Sequence, residues 1–479
     1  MALGWKVVHG GKTPPPGEVV RPDERLSWPR TVGLGGQHVV AMFGATFVFP
    51  LVMGLNPQLA VMMSGVATIC FLVIVNGRVP SYLGTSASFV GGVAAIGAQI
   101  KEDNPDALPG DIAPSVTGAI LVAGLVLFAA GLLIHFLGSG VLHAVLPPVV
   151  TGAVVMLIGF NLAPVVAGIY WPQDQWVAFI TMTFVILIAV GLRGFFGRIA
   201  IFLGLIFGYL LSWIYDGLFG KITSYDPAAN AVTTHFRVNW DNVKSAHWTG
   251  FPPHTEAGTA TVGWHLPSFS FAFTLLVLPA VIALIAENTG HVKAVAEMTQ
   301  TDLDPVMGRA IAADGFGTTL TSLIGGSPTT TYAENIGVMA ATRIYSTAAY
   351  YVAAVVAIIF GLSPKFGALI SAVPGAVLGG ITVILYGMIG LLGAKIWIEN
   401  RVNFANPINL VPIAAGIIIA IGNVSMKITD NFTLTGIALG TLVTVIFYHV
   451  ARVIAPAHLR EEGALITVGG SGRQHVDED

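Results

Sequence analysis

The sequence predicts an all-α polytopic membrane protein of about 14 transmembrane segments in a 7+7 inverted repeat. Two short extended strands, in segments 3 and 10, are expected at the midplane. Three observations carry this expectation. Of 479 residues, 54% are hydrophobic and only 10% charged, with a mean hydropathy of +0.78; an ordinary soluble domain is about 25% charged. Apolar runs of about 20 residues, enough to cross a bilayer as helix, recur along the chain. Segments broken by Gly, Pro, Ser and Thr sit at matching places in two halves, the pattern of an inverted repeat around a central site.

The clear runs lie near 36–54, 58–76, 112–136, 144–163, 175–192, 198–217, 268–287, 346–362, 366–393, 408–424 and 433–454. Broken segments near 82–98, 308–325 and 329–342 complete the fourteen. An odd-numbered repeat must be inverted relative to its twin. The first thirty residues, with Pro14, Pro15 and Pro16 and no apolar stretch, read as a polar tail rather than a cleaved signal peptide. With the N-terminus inside, sixteen Lys and Arg fall on the inner side, from Lys6 to Arg473, and six on the outer. That asymmetry predicts an even number of crossings with both tails cytoplasmic.

The polar insert 218–266 is expected outside, with a small hairpin and no chemistry. His235, His247, His254 and His265 in it read as solvated, and His135 and His143 as interface residues. Cys70, in ATICFLVIV, is the one cysteine and reads as structural. A net charge of −3 gives no reason to expect nucleic acid. No metal-ligand cluster, cofactor motif or nucleophile beside a base argues for an enzyme.

Matched segments collect the chemistry. GGQHVVAMFG in the first half answers IAENTGHVKA in the second, and YLGTSASFVGG answers GGSPTTTYAENIG. Four ionisable side chains fall there: His38, Glu287, His291 and Glu334. Glu287 and His291 are four apart, on one helix face, and could share a proton; a solvated helix end near Lys293 is the alternative. Glu334 follows Thr329, Thr330, Thr331 and Tyr332, which favour extended backbone. Gly325, Gly326 and Pro328 stop the helix before them, and a helix from Asn335 would offer free N–H groups. Thr85-Ser86-Ala87-Ser88 is the partner piece. Extended backbone at membrane depth is tolerated where protein buries it or a cavity uses it. Two such pieces with a carboxylate suit a small, planar, neutral ligand with donors and acceptors along its edges. An anion would be repelled, and a bare metal ion would want more carboxylates. His38, after Gln37, either orients these segments or is a buried structural histidine.

ENIGVMAATR, from Glu334 through Asn335, Gly337 and Thr342 to Arg343, resembles the signature of the nucleobase–ascorbate transporters (nucleobase:cation symporter family 2). Gln37-His38 and Glu287-x-x-x-His291 match the family too, and the likeness covers roughly residues 31–455. A signature beginning with Glu resembles that of bacterial uracil permeases. The resemblance implies a secondary active transporter importing uracil by proton symport, with no cofactor; a xanthine or purine symporter of the same family is the alternative, and an anion transporter sharing the fold a further one. A passive channel would show no dependence on the proton gradient. The resemblance also implies a core domain (31–138 and 267–362), a gate domain (139–217 and 363–455), an extracellular loop (218–266), cytoplasmic tails (1–30 and 456–479), the inner membrane and a homodimer. Substrate would be held by Glu287, Glu334, Ala87, Ala333, Ser86 and Tyr332. Proton coupling would fall to His291, Glu287 and Tyr386, with Gln37, His38, Asn335, Gly337, Thr342 and Arg343 in support. Uracil's two N–H groups could donate to the carboxylates, and analogues lacking them would leave buried acceptors unpaired. Uracil members often carry Ser-Ser-Phe-Ala-Phe where this chain has Thr85 to Phe89, and Gly where it has Ala333.

Overall fold

The structure is a computed structural model that describes residues 4–15, 17–138, 146–226, 231–429 and 432–464. His143, Arg473 and the tail beyond 464 lie outside them. Among the described residues, eight helices are long and apolar enough to cross a membrane, or nine if one bent pair counts as a single span.

The N-terminal segment is folded rather than a loose tail. Strands β1 (Lys6–Val7) and β2 (Glu24–Arg25) pair in parallel, and Val20 forms a bridge with Ile344. The Val20 N–H donates to the Arg343 carbonyl and the Tyr345 N–H donates to that of Val20, at 3.0 and 2.8 Å. The Trp5 indole N–H donates to Thr347 Oγ1 at 2.8 Å. These bonds close the loop after the signature segment.

The first half runs α1 (Trp28–Val52), α2 (Pro57–Ile74), β3 (Leu83–Thr85), α3 (Val90–Asp103), α4 (Pro109–Leu137), α5 (Pro148–Phe160), α6 (Gln175–Gly191) and α7 (Ala200–Phe219). Capping sets several starts. Asn56 Oδ1 accepts from the Leu59 N–H, and Asp174 accepts from Trp176 and Val177, so α2 and α6 begin where a side chain satisfies the free donors. The insert begins with the hairpin β4 (Ile222–Asp226) and β5 (Ala231–His235), as the sequence led us to expect.

The second half runs α8 (Pro279–Thr299, led in by a short helix at Phe271–Val277), α9 (Asp304–Ser322), β6 (Thr329–Thr331), α10 (Ala333–Thr342), α11 (Thr347–Gly361), α12 (Pro364–Ser371), α13 (Gly375–Glu399), α14 (Pro407–Ile421), the hairpin β7 (Ser425–Thr429) and β8 (Phe432–Thr435), and α15 (Gly436–Ile454). Helices α4 and α9 pack tightly because small residues face backbone: a Cβ at Gly131 would strike Ala312, and one at Gly308 would strike His135.

Several boundaries differ from the expectation, among them the start of α1, which lies at Trp28 rather than near 36. The run expected at 268–287 continues as helix to Thr299, so Glu287 and His291 sit within a helix and not at its end. The run expected at 366–393 is broken: Pro364 and Pro374 restart the chain, and α11 and α12 meet at a bend of 84°. Helix α10 begins at Ala333, two residues early, with Tyr332 as its N-cap.

The insert is clasped at both ends. Arg237 Nε donates to Asp174 Oδ2 at 2.7 Å and its Nη1 to Asp216 Oδ1 at 3.2 Å, joining the start of α6 to the end of α7. Further on, Asn56 Nδ2 donates to the Val262 carbonyl and the Gly258 N–H to Asp111 Oδ1. His265 is not solvated. It is 5% exposed, with Nδ1 at 2.8 Å from Thr255 Oγ1 and Nε2 at 3.0 Å from Thr117 Oγ1. Burial pushes its pKa below the usual histidine value.

Candidate functional site

Strands β3 and β6 lie far apart in sequence and pair antiparallel, with Leu83 opposite Thr331, Gly84 opposite Thr330 and Thr85 opposite Thr329. All six residues are buried. Two further backbone bonds extend the ladder: the Ser86 N–H donates to the Pro328 carbonyl at 2.9 Å and the Tyr332 N–H to that of Tyr82 at 3.0 Å. Gly84 is required here, since a Cβ would run into the Tyr332 ring and Thr46 Oγ1. The Tyr332 hydroxyl donates to the Thr85 carbonyl at 2.8 Å and accepts from Thr46 Oγ1 at 3.1 Å. Tyr332 is thus committed to holding the strand pair together, and it is 4% exposed.

Each strand feeds a helix start. After β3, Ser86 Oγ accepts from the Ser88 N–H and opens a 3-10 turn at Ala87–Phe89 that leads into α3. After β6 comes Tyr332, and Glu334 stands in the first turn of α10, where an acid is favoured beside free N–H groups. Glu334 therefore belongs to the helix and does not end the strand. Ser86 is fully buried, whereas Ala87, Glu287, His291 and Glu334 are half-buried and Ala333 is exposed. Of the six residues expected to hold substrate, Ser86 and Tyr332 are buried, while Glu287, Glu334, Ala87 and Ala333 retain exposure.

Behind the strand lies a hydrogen-bonded network that sequence reasoning missed. Asp314 on α9 is fully buried and accepts from Asn288 Nδ2 at 2.7 Å and from Thr329 Oγ1 at 3.3 Å. Thr331 Oγ1 donates to Asn288 Oδ1 at 3.3 Å and lies 2.6 Å from His291 Nδ1. Alternation along β6 puts Thr329 and Thr331 on the same side, so one strand braces both α8 and α9. Glu287 lies on α8, which packs against both α9, the bearer of Asp314, and α10, the bearer of Glu334. None of the three carboxyls joins an ion pair among the described residues, where the pairs are His9–Glu18, Arg237 with Asp174 and Asp216, and Lys395–Glu399. Asp314 had a signal in the sequence: an acid alone within an apolar run.

The remaining expected residues fall in two groups. His38 is buried on α1, where Asn335 Nδ2 donates to its carbonyl at 2.9 Å and lies 3.1 Å from its Nδ1. Its ring centroid lies 4.2 Å from that of Tyr350, tilted by 33°, and the Tyr350 hydroxyl donates to the Asn335 carbonyl. His38 thus grips the signature's asparagine. Tyr386, on α13, is 3% exposed, and among the described residues its hydroxyl has no hydrogen-bond partner. Gln37 and Arg343 are exposed, and Gly337 and Thr342 are half-buried along α10. Arg343 has a φ of 58° and ends that helix.

Residues 29–429 match the family described as "Permease family", of the xanthine and uracil permease type. The chain is 42% identical to "Putative pyrimidine permease RutG" of Escherichia coli (strain K12), over 88% of this chain and 90% of that one. It is 33% identical to the "Uracil permease" of Bacillus subtilis (strain 168), over 88% and 92%. Among solved structures, the transmembrane domain of a cyanobacterial bicarbonate transporter, BicA, aligns with a TM-score of 0.56 at 15% identity, covering 88% of this chain and 96% of that one. SLC26A9 aligns with a TM-score of 0.60 at 12% identity, covering 88% and 65%. These last two show a shared fold and no more.

Proposed function

We propose that this chain, which belongs to the nucleobase–ascorbate transporter family, imports uracil or a close pyrimidine relative across the inner membrane by proton symport. That it is a permease of nucleobase type follows from the relatives; the substrate, the proton and the membrane are our reading. The carrying observation is the group of half-buried residues at the strand pair: Glu287 and Glu334 beside the exposed Ala333 and the half-buried Ala87. In this reading each carboxylate accepts from one ring N–H, and backbone N–H groups at Ala87 and Ala333 donate to the ring carbonyls. An anionic substrate would meet the carboxyls of Glu287 and Glu334, which argues against the anion chemistry of the fold's distant neighbours. Protonation of Glu287 or His291 changes which access state is preferred, so proton and base bind reciprocally. The seven-plus-seven repeat, supported by the matched segments, and cytoplasmic tails, supported by the basic residues, complete the proposal, together with the core and gate boundaries and the homodimer that the family resemblance implies.

Radiolabelled uptake in cells lacking their own nucleobase carriers tests it, with uracil, xanthine and ascorbate compared with and without a protonophore. Saturable uracil uptake that collapses with the protonophore is expected. Xanthine uptake without uracil uptake overturns the pyrimidine assignment, and uracil uptake indifferent to the protonophore overturns the coupling.

A further inference from the structure

The network behind β6 fixes more than position. Asn288 lies on α8 with its amide group between three partners: Nδ2 is 2.9 Å from the Leu284 carbonyl and 2.7 Å from Asp314 Oδ2, and Oδ1 is 3.3 Å from Thr331 Oγ1. A backbone carbonyl can only accept, so the amide atom facing Leu284 is the NH2 group. The oxygen then faces Thr331, and an amide oxygen can only accept. The Thr331 hydroxyl must donate to it. That hydroxyl has one hydrogen, which is now committed, so towards His291 Nδ1 at 2.6 Å its oxygen can only accept. Nδ1 must therefore carry a hydrogen.

We infer that Asn288 and Thr331 are positioning residues that set the tautomer of His291, holding neutral imidazole as Nδ1–H and leaving Nε2 as the nitrogen that takes up the transported proton. The chain of bonds runs one way, from His291 through Thr331 and Asn288 to Asp314. Leu284, as a fixed acceptor, prevents the amide from turning over and reversing it. Protonation adds a hydrogen at Nε2 and breaks no bond at Nδ1, so the ring gains and loses its proton without disturbing the strand. Which ring nitrogen is protonated is commonly set by the bond the other one makes, and here the bond is traced to its end. The role of Nε2 in transport rests on the proton symport proposed above; the tautomer does not.

The test reads the two separately. Solution or solid-state NMR of the full-length protein with 15N-labelled histidine, assigned by difference against His291→Gln, should give a neutral His291 signal of the Nδ1–H type. Thr331→Val removes the hydroxyl at nearly constant shape, and the signal should become a mixture or shift to Nε2–H. Thr331→Ser, which retains the hydroxyl, should restore it. In the same variants, proton-driven uracil accumulation should fall several-fold in Thr331→Val and recover in Thr331→Ser, with equilibrium uracil binding changed less than accumulation. An Nε2–H signal in the unmodified protein, or one unmoved by Thr331→Val in a folded sample, overturns the inference. A protein that carries no uracil leaves the NMR result standing and refutes only the proposed transport.

Discussion

The β3 and β6 segments share a plan and differ in chemistry. Both are three-residue strands that run into a helix start, and they form a single ladder. The β3 arm carries no ionisable side chain from Leu83 to Phe89, and its one polar cap, Ser86, is spent on its own backbone. The β6 arm has Glu334 in the following helix and threonines that reach Asn288, His291 and Asp314. One arm offers mainly backbone, and the other brings charge. The two arms thus share a shape while dividing the work.

Substitutions on the two arms should separate those contributions. The largest effect is expected from the residue both arms share: Gly84→Val drives a side chain into Tyr332 and Thr46, and should cost about 3 kcal/mol of stability or prevent assembly. Thermal unfolding of the detergent-solubilised protein measures it; a normal melting temperature would mean the arms do not need their close contact. Next, Glu334→Gln should weaken uracil binding by about 2 kcal/mol, roughly 30-fold, with the fold intact. Unchanged affinity by calorimetry would take charge off the β6 arm. Tyr332→Phe removes a hydroxyl that serves both Thr85 and Thr46 and should cost about 1.5 kcal/mol in stability. Ser86→Ala, on the uncharged arm, should cost about 1 kcal/mol in stability and alter binding far less than Glu334→Gln. Equal losses of affinity from the two would erase the distinction between the arms.

The smallest effect lies away from both strands. Burial holds His265 neutral in the folded insert, below the usual histidine pKa of about 6.5. As pH falls through that value the released chain takes up a proton that the clasped one resists, so the clasp is intact at higher pH and weakens on acidification. Limited proteolysis of the insert between neutral and mildly acidic pH should show faster cleavage at the acidic end, and His265→Gln should flatten the difference.

Most of the spans and the strand pair were legible because each rests on a local signal: apolar length for helices, and β-branched residues between breakers for β6. Glu287, His291 and Glu334 stood out as charges in apolar surroundings. Asp314 carries the same signal, but the Gly-rich and Thr-rich run around it reads first as a set of helix breakers. Asn288 and Thr331 had no signal that distinguishes them, because their importance lies in hydrogen-bond direction, which only three-dimensional neighbours determine. The folded N-terminal segment was hidden for a similar reason: its partners, Arg343 to Thr347, lie over 300 residues away.

That distance has a temporal side. Tyr332 and Thr85 are 247 residues apart, so a ribosome adding about 5–20 residues per second needs on the order of 10–50 s to deliver the second strand after the first. During that interval β3 has its edge groups without their final partners, and the β1–β2 segment has no Ile344 to bridge. The cell must shelter an unfinished ladder for that long, and the arrival of β6 and Ile344 decides when the first half can close.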